Sequence, residues 1–232
     1  MTSSTSRTRR EPPKSGTVTR VSPQQSTAER MNVYLDEAYA FSMSVRSLTE
    51  HPISVGDTLS EADVRRLLAA DEPDRATNSS LNLLSHRGRS ERELRQRLRR
   101  KGYTSTAIDE AVRRVIDWGY LNDERFAEGW VEQRQASRPR SRRALAHELR
   151  EKGVDRQIIE TTLGEAEIDE VGDARRLASD KWRKERGQPP DKRRQRTAAF
   201  LARRGYGWDV AKRVLDELAG EKGGDVTGND FP

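Results

Sequence analysis

Residues 87–103, RGRSERELRQRLRRKGY, contain the start, the apolar stripe and the end of a short helix. Ser90 suits the N-cap, and Glu93 follows three residues later as in a capping box. Leu94 and Leu98 are four residues apart, so they share one face of the helix. A glycine near the end of the stretch is typical of a helix C-terminus. We therefore predict a short helix with one buried face and a strongly basic opposite face.

The same layout occurs twice more along the chain. Residues 138–154 are RPRSRRALAHELREKGV, with Ser141 as the cap and two leucines four residues apart. Residues 189–206 are PPDKRRQRTAAFLARRGY, with Asp191 as the predicted cap and Leu201 as the second apolar position. Each copy ends in a glycine, and these glycines lie 51 and 52 residues apart: Gly102, Gly153 and Gly205. A fixed period of this size predicts a tandem helical repeat.

The composition favours small helical units over a single thick core. Of the 232 residues, 32% are hydrophobic and 35% are charged, compared with about 45–50% and about 25% in average domains. Each unit of a repeat array needs only a stripe of apolar residues. Extensive disorder is the alternative, but the regular caps and leucine spacings argue against it in the middle of the chain.

We predict a mainly α-helical protein with three tandem three-helix repeats in an elongated array, preceded by a small N-terminal module of a β-hairpin and a helix. The hairpin is predicted because alternating apolar residues around Val33 and Phe41 flank an Asp-Glu pair. Ser60 with Asp63 then caps the helix of this module. The predicted segments are a disordered basic tail at 1–30, the N-terminal module at 31–73, repeats at 74–119, 120–168 and 169–219, and a disordered tail at 220–232.

Several stretches between residues 32 and 218 together resemble the RecX family of bacterial recombination regulators. They are NVYLDEAYAFSM, LLSHRGRSERELRQRLRRKGY, DWGYLNDERFAEGWVEQR, ELREKGV and FLARRGYGWDVAKRVL. The resemblance implies three tandem three-helix repeats and a non-enzymatic regulator that binds the RecA recombinase filament. It implies modulation, mostly inhibition, of RecA's ATP hydrolysis and DNA strand exchange in recombination and the SOS response. Residues 1–30 depart from the family pattern, and the third repeat lacks Ser at its cap and Leu at Thr197.

The basic face of each second helix is the main functional signal. The chain has a net charge of +6, and like charges this close repel one another unless a partner neutralises them. Arginine predominates, which favours bidentate pairing with carboxylate or phosphate. The sequence leaves open whether these faces meet DNA phosphates or an acidic RecA surface. The residues predicted to bind a partner or DNA are Arg89, Arg92, Arg95, Arg99, Arg100, Lys101, Arg140, Arg142, Arg143, Arg150, Lys152, Arg193, Arg194, Arg196, Arg203 and Arg204.

The predicted partners are the RecA filament and, weakly and without sequence specificity, single- and double-stranded DNA. We predict a cytoplasmic monomer without membrane contact. The alternative is a stand-alone DNA-binding protein with helix-turn-helix-like units. Amide side chains that could recognise bases are scarce in the second helices, Gln96 being the candidate.

No catalytic, cofactor-binding or metal-binding residues are predicted. The chain has no cysteine, which excludes disulfides, thiolate zinc sites and cysteine nucleophiles. It lacks a GxxxxGK[ST] phosphate loop, and its three histidines lie in different modules: His51, His86 and His147. No apolar run approaches the ~20 residues of a membrane span, and the N-terminus has no secretory signal.

Five aromatic residues lie where repeats one and two adjoin. Aromatic residues make up only 6% of the chain, so we predict that these five pack between the repeats. Stacking on single-stranded DNA bases is the alternative. The five are Tyr103, Trp118, Tyr120, Phe126 and Trp130.

Overall fold

The computed structural model describes residues 14–25 and 27–220. In these residues the chain forms four strands and eleven helices. The chain divides into two compact units. Among the described residues, unit 1 consists of 14–25, 27–87 and Leu94–Leu121, and unit 2 consists of Gly88–Glu93 and 122–220.

An antiparallel sheet forms the beginning of unit 1. Its strands lie in the order β3-β2-β1-β4. Val33, Leu35 and Met43 alternate with polar neighbours, and their side chains are buried in one apolar cluster with Val18. The strands are β1 (Gly16–Gln24), β2 (Thr27–Leu35), β3 (Ala38–Ser44) and β4 (Thr58–Leu59).

The predicted hairpin is confirmed as β2 and β3. Its turn residues, Asp36 and Glu37, have φ values of 46° and 68°, as a two-residue turn of type I′ requires. The Asp36 carboxylate also accepts a hydrogen bond from the Thr17 backbone N–H of β1, at 3.0 Å.

The prediction of a disordered tail at residues 1–30 was wrong for the part that the structure describes. β1 and the first residues of β2 lie within it. The sequence of β1, GTVTRVSPQ, contains little apolar surface. Pairing with both β2 and β4 supplies its hydrogen bonds, and Val18 is only 1% exposed. Residues 1–13 lie outside the described residues.

Three helices follow the strands in the N-terminal part of unit 1. α1 (Val45–Glu50) follows β3 directly, and the predicted capping box of Ser60 and Asp63 starts α2 (Glu61–Ala70). α3 (Glu72–His86) contains Pro73 in its first turn, where a missing N–H costs nothing. The predicted boundary between residues 73 and 74 therefore falls inside the first turn of α3.

The helices from α3 onward form three sets of three, which confirms the predicted mainly α-helical fold with three three-helix repeats. The first set continues with α4 (Glu91–Arg100) and α5 (Ser105–Asp117). The second set is α6 (Asp123–Ser137), α7 (Arg142–Lys152) and α8 (Arg156–Glu165). The third set is α9 (Glu170–Lys184), α10 (Pro190–Ala202) and α11 (Trp208–Gly220). Residues 221–232 of the predicted C-terminal tail lie outside the described residues.

The second helix of each set buries the same two positions. Burying a leucine side chain fully contributes about 1.5–3 kcal/mol. In α10 a threonine takes the first position, and its hydroxyl donates to the Arg193 carbonyl oxygen at 2.9 Å. All six side chains are 0% exposed: Leu94 and Leu98, Leu145 and Leu149, Thr197 and Leu201.

The start of α10 differs from the prediction. Pro189 is the N-cap and makes no side-chain capping hydrogen bond, while Asp191 lies within the first turn. Pro190 begins the helix because its fixed φ suits the first helical position. The acidic Asp191 still interacts favourably with the positive end of the helix dipole.

In the described part of the chain, each helix is too short or too polar to cross a membrane.

Candidate partner-binding surface

The end of α7 packs against the start of α4 within unit 2. The Ser90 hydroxyl accepts from the Glu93 N–H at 3.2 Å and donates to the Lys152 carbonyl oxygen at 2.5 Å. The Lys152 ammonium pairs with the Glu93 carboxylate at 2.7 Å. A Cβ at Gly153 would lie 2.0 Å from the Cδ of Arg92. We call this contact the α4–α7 junction.

The end of α10 packs against the start of α7 in the same manner. The Ser141 N–H donates to the Arg204 carbonyl oxygen at 3.2 Å. A Cβ at Gly205 would lie 2.5 Å from both the Ser141 Oγ and the Ala144 Cβ. This α7–α10 junction repeats the same pairing, in which a cap serine meets the glycine end of the next second helix. Within unit 2, the two junctions place the end of α7 against the start of α4, and the end of α10 against the start of α7.

The predicted site residues fall into three groups in the structure. The first group is exposed and makes no ion pair with any carboxylate of the described residues. Arg97, which was not among the predicted site residues, shares both properties. The group consists of Arg92, Arg99, Arg100, Lys101, Arg143, Arg150 and Arg203.

In unit 1 the unpaired cations lie on the solvent side of α4. Successive residues of a helix are turned by about 100°, so Arg99 and Arg100 point away from the face that carries Leu94 and Leu98. Gln96 lies between them on the same solvent-facing side and is exposed. This face has no carboxylate of its own between residues 94 and 101.

In unit 2 the corresponding cations lie on the solvent side of α7. Arg143, His147 and Arg150 follow the spacing i, i+4, i+7 and share one face. That face lies opposite the buried leucines of α7. The imidazole of His147 is 3.7 Å from the Glu151 carboxylate, and both side chains are exposed. The α7 face therefore carries two arginines without an ion pair among the described residues.

The second group of predicted residues pairs with carboxylates inside its own unit. Exposed pairs of this kind contribute about 0–1 kcal/mol and weaken in salt. These cations are consequently less available to a partner than those of the first group. The pairs are Arg95–Asp109 at 2.5 Å, Arg140–Glu148 at 2.8 Å, Lys152–Glu93 at 2.7 Å, Arg194–Asp216 at 2.5 Å and Arg196–Glu185 at 2.9 Å.

The third group is partly or wholly buried and serves the fold. Arg193 is 5% exposed. Its Nε donates to the Trp182 carbonyl oxygen at 2.8 Å, and its guanidinium lies 4.2 Å from the centre of the Trp182 ring. Burial lowers the pKa of Arg193 from its ordinary value. Its prediction as a partner-binding residue was wrong, because Arg193 precedes Thr197 and Leu201 at four-residue spacing and falls on their buried face.

Arg142, Arg204 and Arg89 complete the third group. Arg142 donates to the carbonyl oxygens of Leu163 and Ala166, the latter at 2.9 Å. The guanidinium of Arg204 lies 4.6 Å from the centre of the Phe200 ring. Arg89 is half-buried in the segment before α4. Arg142 thus joins elements within unit 2, and so does Arg204, which donates to the Pro139 carbonyl oxygen at 3.5 Å.

The five aromatic residues do not share one environment. The rings of Phe126 and Trp130 lie 5.9 Å apart within repeat two, and the Tyr103 hydroxyl donates to the Arg75 carbonyl oxygen at 3.2 Å. Trp118 and Tyr120 of unit 1 are 53% and 64% exposed, and their packing against repeat two stays a prediction. They flank Gly119, which follows the C-cap of α5 and has a φ of 75°.

The Asp123 carboxylate of repeat two has a structural partner. Asp123 accepts from the Glu91 N–H at 2.8 Å and so satisfies a free amide in the first turn of α4. Burial raises the pKa of the Asp123 carboxyl above its ordinary value. Within residues 14–25 and 27–220 no group of three or more histidines and carboxylates is arranged to hold a metal ion.

Comparison with known families matches four successive parts of the chain. The RecX N-terminal domain matches residues 16–60, so the prediction that residues 1–30 depart from the family pattern was wrong from residue 16 onward. The first, second and third three-helix domains of RecX match residues 76–114, 122–163 and 169–215. These ranges coincide with the sheet module and with the three sets of helices.

Individual relatives and solved structures agree with these matches. The chain is 32% identical over 205 residues to "Regulatory protein RecX" of Listeria innocua, covering 88% of this chain and 76% of the relative. It is 29% identical over 210 residues to the protein of the same name in Bacillus subtilis, covering 90% and 80%. A crystal structure of regulatory protein RecX has the same fold, with a TM-score of 0.67, 22% identity and coverage of 86% and 98%. A RecX structure from Lactobacillus salivarius gives a TM-score of 0.57 at 24% identity, covering 65% and 98%. The sheet module, the three helical domains and the identity to curated relatives together show that the chain belongs to the RecX family of regulatory proteins.

Proposed function

We propose that this protein binds the RecA recombinase filament and inhibits its ATP hydrolysis and DNA strand exchange without catalysing a reaction itself. It acts as a cytoplasmic monomer and needs no cofactor. The observation that carries the proposal is the recurrence of exposed, unpaired cations at equivalent places on α4 and α7. The family membership supports a regulatory role.

The cationic faces suit an extended polyanionic partner. Arg97 lies three and four residues before Arg100 and Lys101 at the end of α4, a spacing at which like charges repel in the free protein, and a partner that neutralises them relieves this repulsion. Each contact is weak, but contacts from linked repeats combine through a high effective concentration. A filament offers the same surface at regular intervals, so successive repeats can engage successive sites.

Stand-alone DNA binding is the second candidate. The exposed Gln96 among the arginines of α4 is the observation that favours it, because glutamine can recognise adenine in the major groove. On this candidate the protein would bind duplex DNA with sequence preference and would affect RecA only by occupying DNA.

The decisive experiment measures RecA-dependent ATP hydrolysis on single-stranded DNA with increasing amounts of this protein. We expect the wild-type protein to inhibit and the double variant Arg99→Glu/Arg100→Glu to lose most of that inhibition. Arg143→Glu/Arg150→Glu should act in the same direction. Inhibition should weaken with added salt because several cation–anion contacts form together.

The control variant is Arg9→Glu/Arg10→Glu, in the segment outside the described residues. It changes the net charge by the same amount, so a general charge effect would appear equally in both variants. If the control abolishes inhibition while the α4 and α7 variants retain it, the proposed surface is refuted. Inhibition that disappears on excess competing DNA, without binding to RecA, would support the second candidate.

A further inference from the structure

Unit 2 contains a cavity whose charge is opposite to that of the cationic faces. It has a volume of about 320 Å³ and lies between α6 and the segment that joins α8 to α9. Four exposed glutamates line it, two on α6, one at the end of α8 and one in the segment that follows: Glu128, Glu132, Glu165 and Glu167. None of them forms an ion pair with a cation in the described part of the chain.

The clustering of these glutamates is costly for the free protein. Glu128 and Glu132 are four residues apart on α6, a spacing at which like charges destabilise a helix. Elsewhere in unit 2, exposed carboxylates such as Glu160 and Asp180 have an arginine within 2.6 Å. The chain has a net charge of +6, and four clustered carboxylates that form no ion pair among the described residues are therefore unusual in it.

The floor of the cavity is apolar. Val131 is 4% exposed, and Ala166 and Ile168 pack against the same apolar cluster of repeat two. Lysine and arginine side chains carry an aliphatic stem below a charged head, and they cover apolar surface while the head stays polar. An apolar floor below a carboxylate rim is complementary to both parts of such a side chain.

We propose that this cavity is a second docking site, which receives a basic, lysine- or arginine-bearing segment of the protein partner. Nucleic acid is disfavoured because its phosphates would face four carboxylates. The inference rests on the proposed function for the identity of the partner, the RecA protomer. The protein would then hold the filament with two surfaces of opposite charge, the cationic faces and this acidic cavity.

The test compares two variants with equal changes in charge. The cavity variant is Glu132→Gln/Glu167→Gln, with one substitution on each wall. The control variant is Glu124→Gln/Glu160→Gln, at exposed positions of α6 and α8 outside the cavity. The affinity of each protein is measured for RecA filaments assembled on single-stranded DNA, and for the same DNA alone.

We expect the cavity variant to bind the filament roughly tenfold more weakly than the control variant, as the loss of two cation–carboxylate contacts predicts. Both variants should bind the DNA alone at least as tightly as the wild type, since each loses negative charge. The melting temperature of the cavity variant should stay equal or rise, because like charges are removed, so a loss of binding cannot be attributed to unfolding.

The outcomes separate the two proposals. If the wild type binds the filament and the cavity variant binds as tightly as the control, the cavity is not a docking site, and the proposed function stands. If the wild type does not bind the filament at all, both proposals are overturned. Weaker binding of the cavity variant to DNA alone would also overturn the assignment to a basic protein segment.

Discussion

The glycines that end α4, α7 and α10 have the same backbone conformation but different surroundings. Gly102, Gly153 and Gly205 have φ values of 87°, 81° and 88°. A Cβ added at Gly102 would meet no described atom within 4 Å, whereas one at Gly153 or Gly205 would overlap the start of the preceding second helix. The repeat pattern in the sequence thus predicts the turn at all three positions. At Gly153 and Gly205, contact with the preceding second helix also leaves no space for a side chain.

Substitution of the buried leucines should give the largest loss of stability. The effects of the glycine substitutions can be compared with that loss. Leu98→Ala and Leu149→Ala should each lower the free energy of unfolding by about 2–5 kcal/mol, because each leaves a cavity at a fully buried position. Chemical denaturation measures the change. The two losses of stability should be similar. A substitution that left the free energy of unfolding unchanged would show that the helix carrying that leucine does not pack as described.

Gly205→Ala should be the most damaging of the glycine substitutions. The new methyl group needs the space of the Ala144 Cβ and the Ser141 Oγ, both 2.5 Å away. Overpacking of this kind costs about 1–3 kcal/mol, and a further cost of about 1–2 kcal/mol arises from placing alanine at positive φ. Thermal melting of the variant beside the wild type measures the sum.

Gly102→Ala is the matched control for that substitution. It carries the same cost of positive φ, about 1–2 kcal/mol, but no steric overlap. Gly153→Ala should fall between the two, because part of what it meets is the movable Arg92 side chain. Equal destabilisation by all three substitutions would contradict the junction geometry.

A double-mutant cycle at the α7–α10 junction gives the smallest expected effect. Ser141→Ala removes a hydroxyl that caps α7 and should cost about 1 kcal/mol. The same change removes one of the two atoms that obstruct a methyl group at position 205. The double variant should therefore be less destabilised than the sum of the single variants, by about 0.5 kcal/mol or more. Strict additivity would argue against contact between the two positions.

Much of the helical architecture follows from local rules that operate within a few residues. Ser90 and Ser141 cap their helices as predicted, and the leucine pairs are buried because four-residue spacing puts them on one face. β1 could not be recognised in this way, since its few apolar residues gain their burial from partner strands distant in sequence. Pairing between strands is a property of the whole sheet.

The candidate site was less predictable than the fold. Arg193 was predicted as a partner-binding residue because it lies among other arginines in the sequence. The four-residue spacing of Arg193, Thr197 and Leu201 already indicated a shared buried face. Whether an exposed arginine forms an ion pair can depend on the carboxylates of another helix, as for Arg194 and Asp216. The sequence pattern within one helix does not predict such a pair. The acidic cavity likewise requires two separated segments to be brought together.

The hydrogen bond from the Ser141 N–H to the Arg204 carbonyl oxygen also provides a natural probe of the protein in solution. An amide in this position exchanges its hydrogen with solvent only when the contact opens. The exchange rate at Ser141 therefore reports how often the second and third repeats separate, without any label or substitution. Measured with and without a bound filament, it would tell whether the repeats engage as a preassembled pair or part from one another on binding.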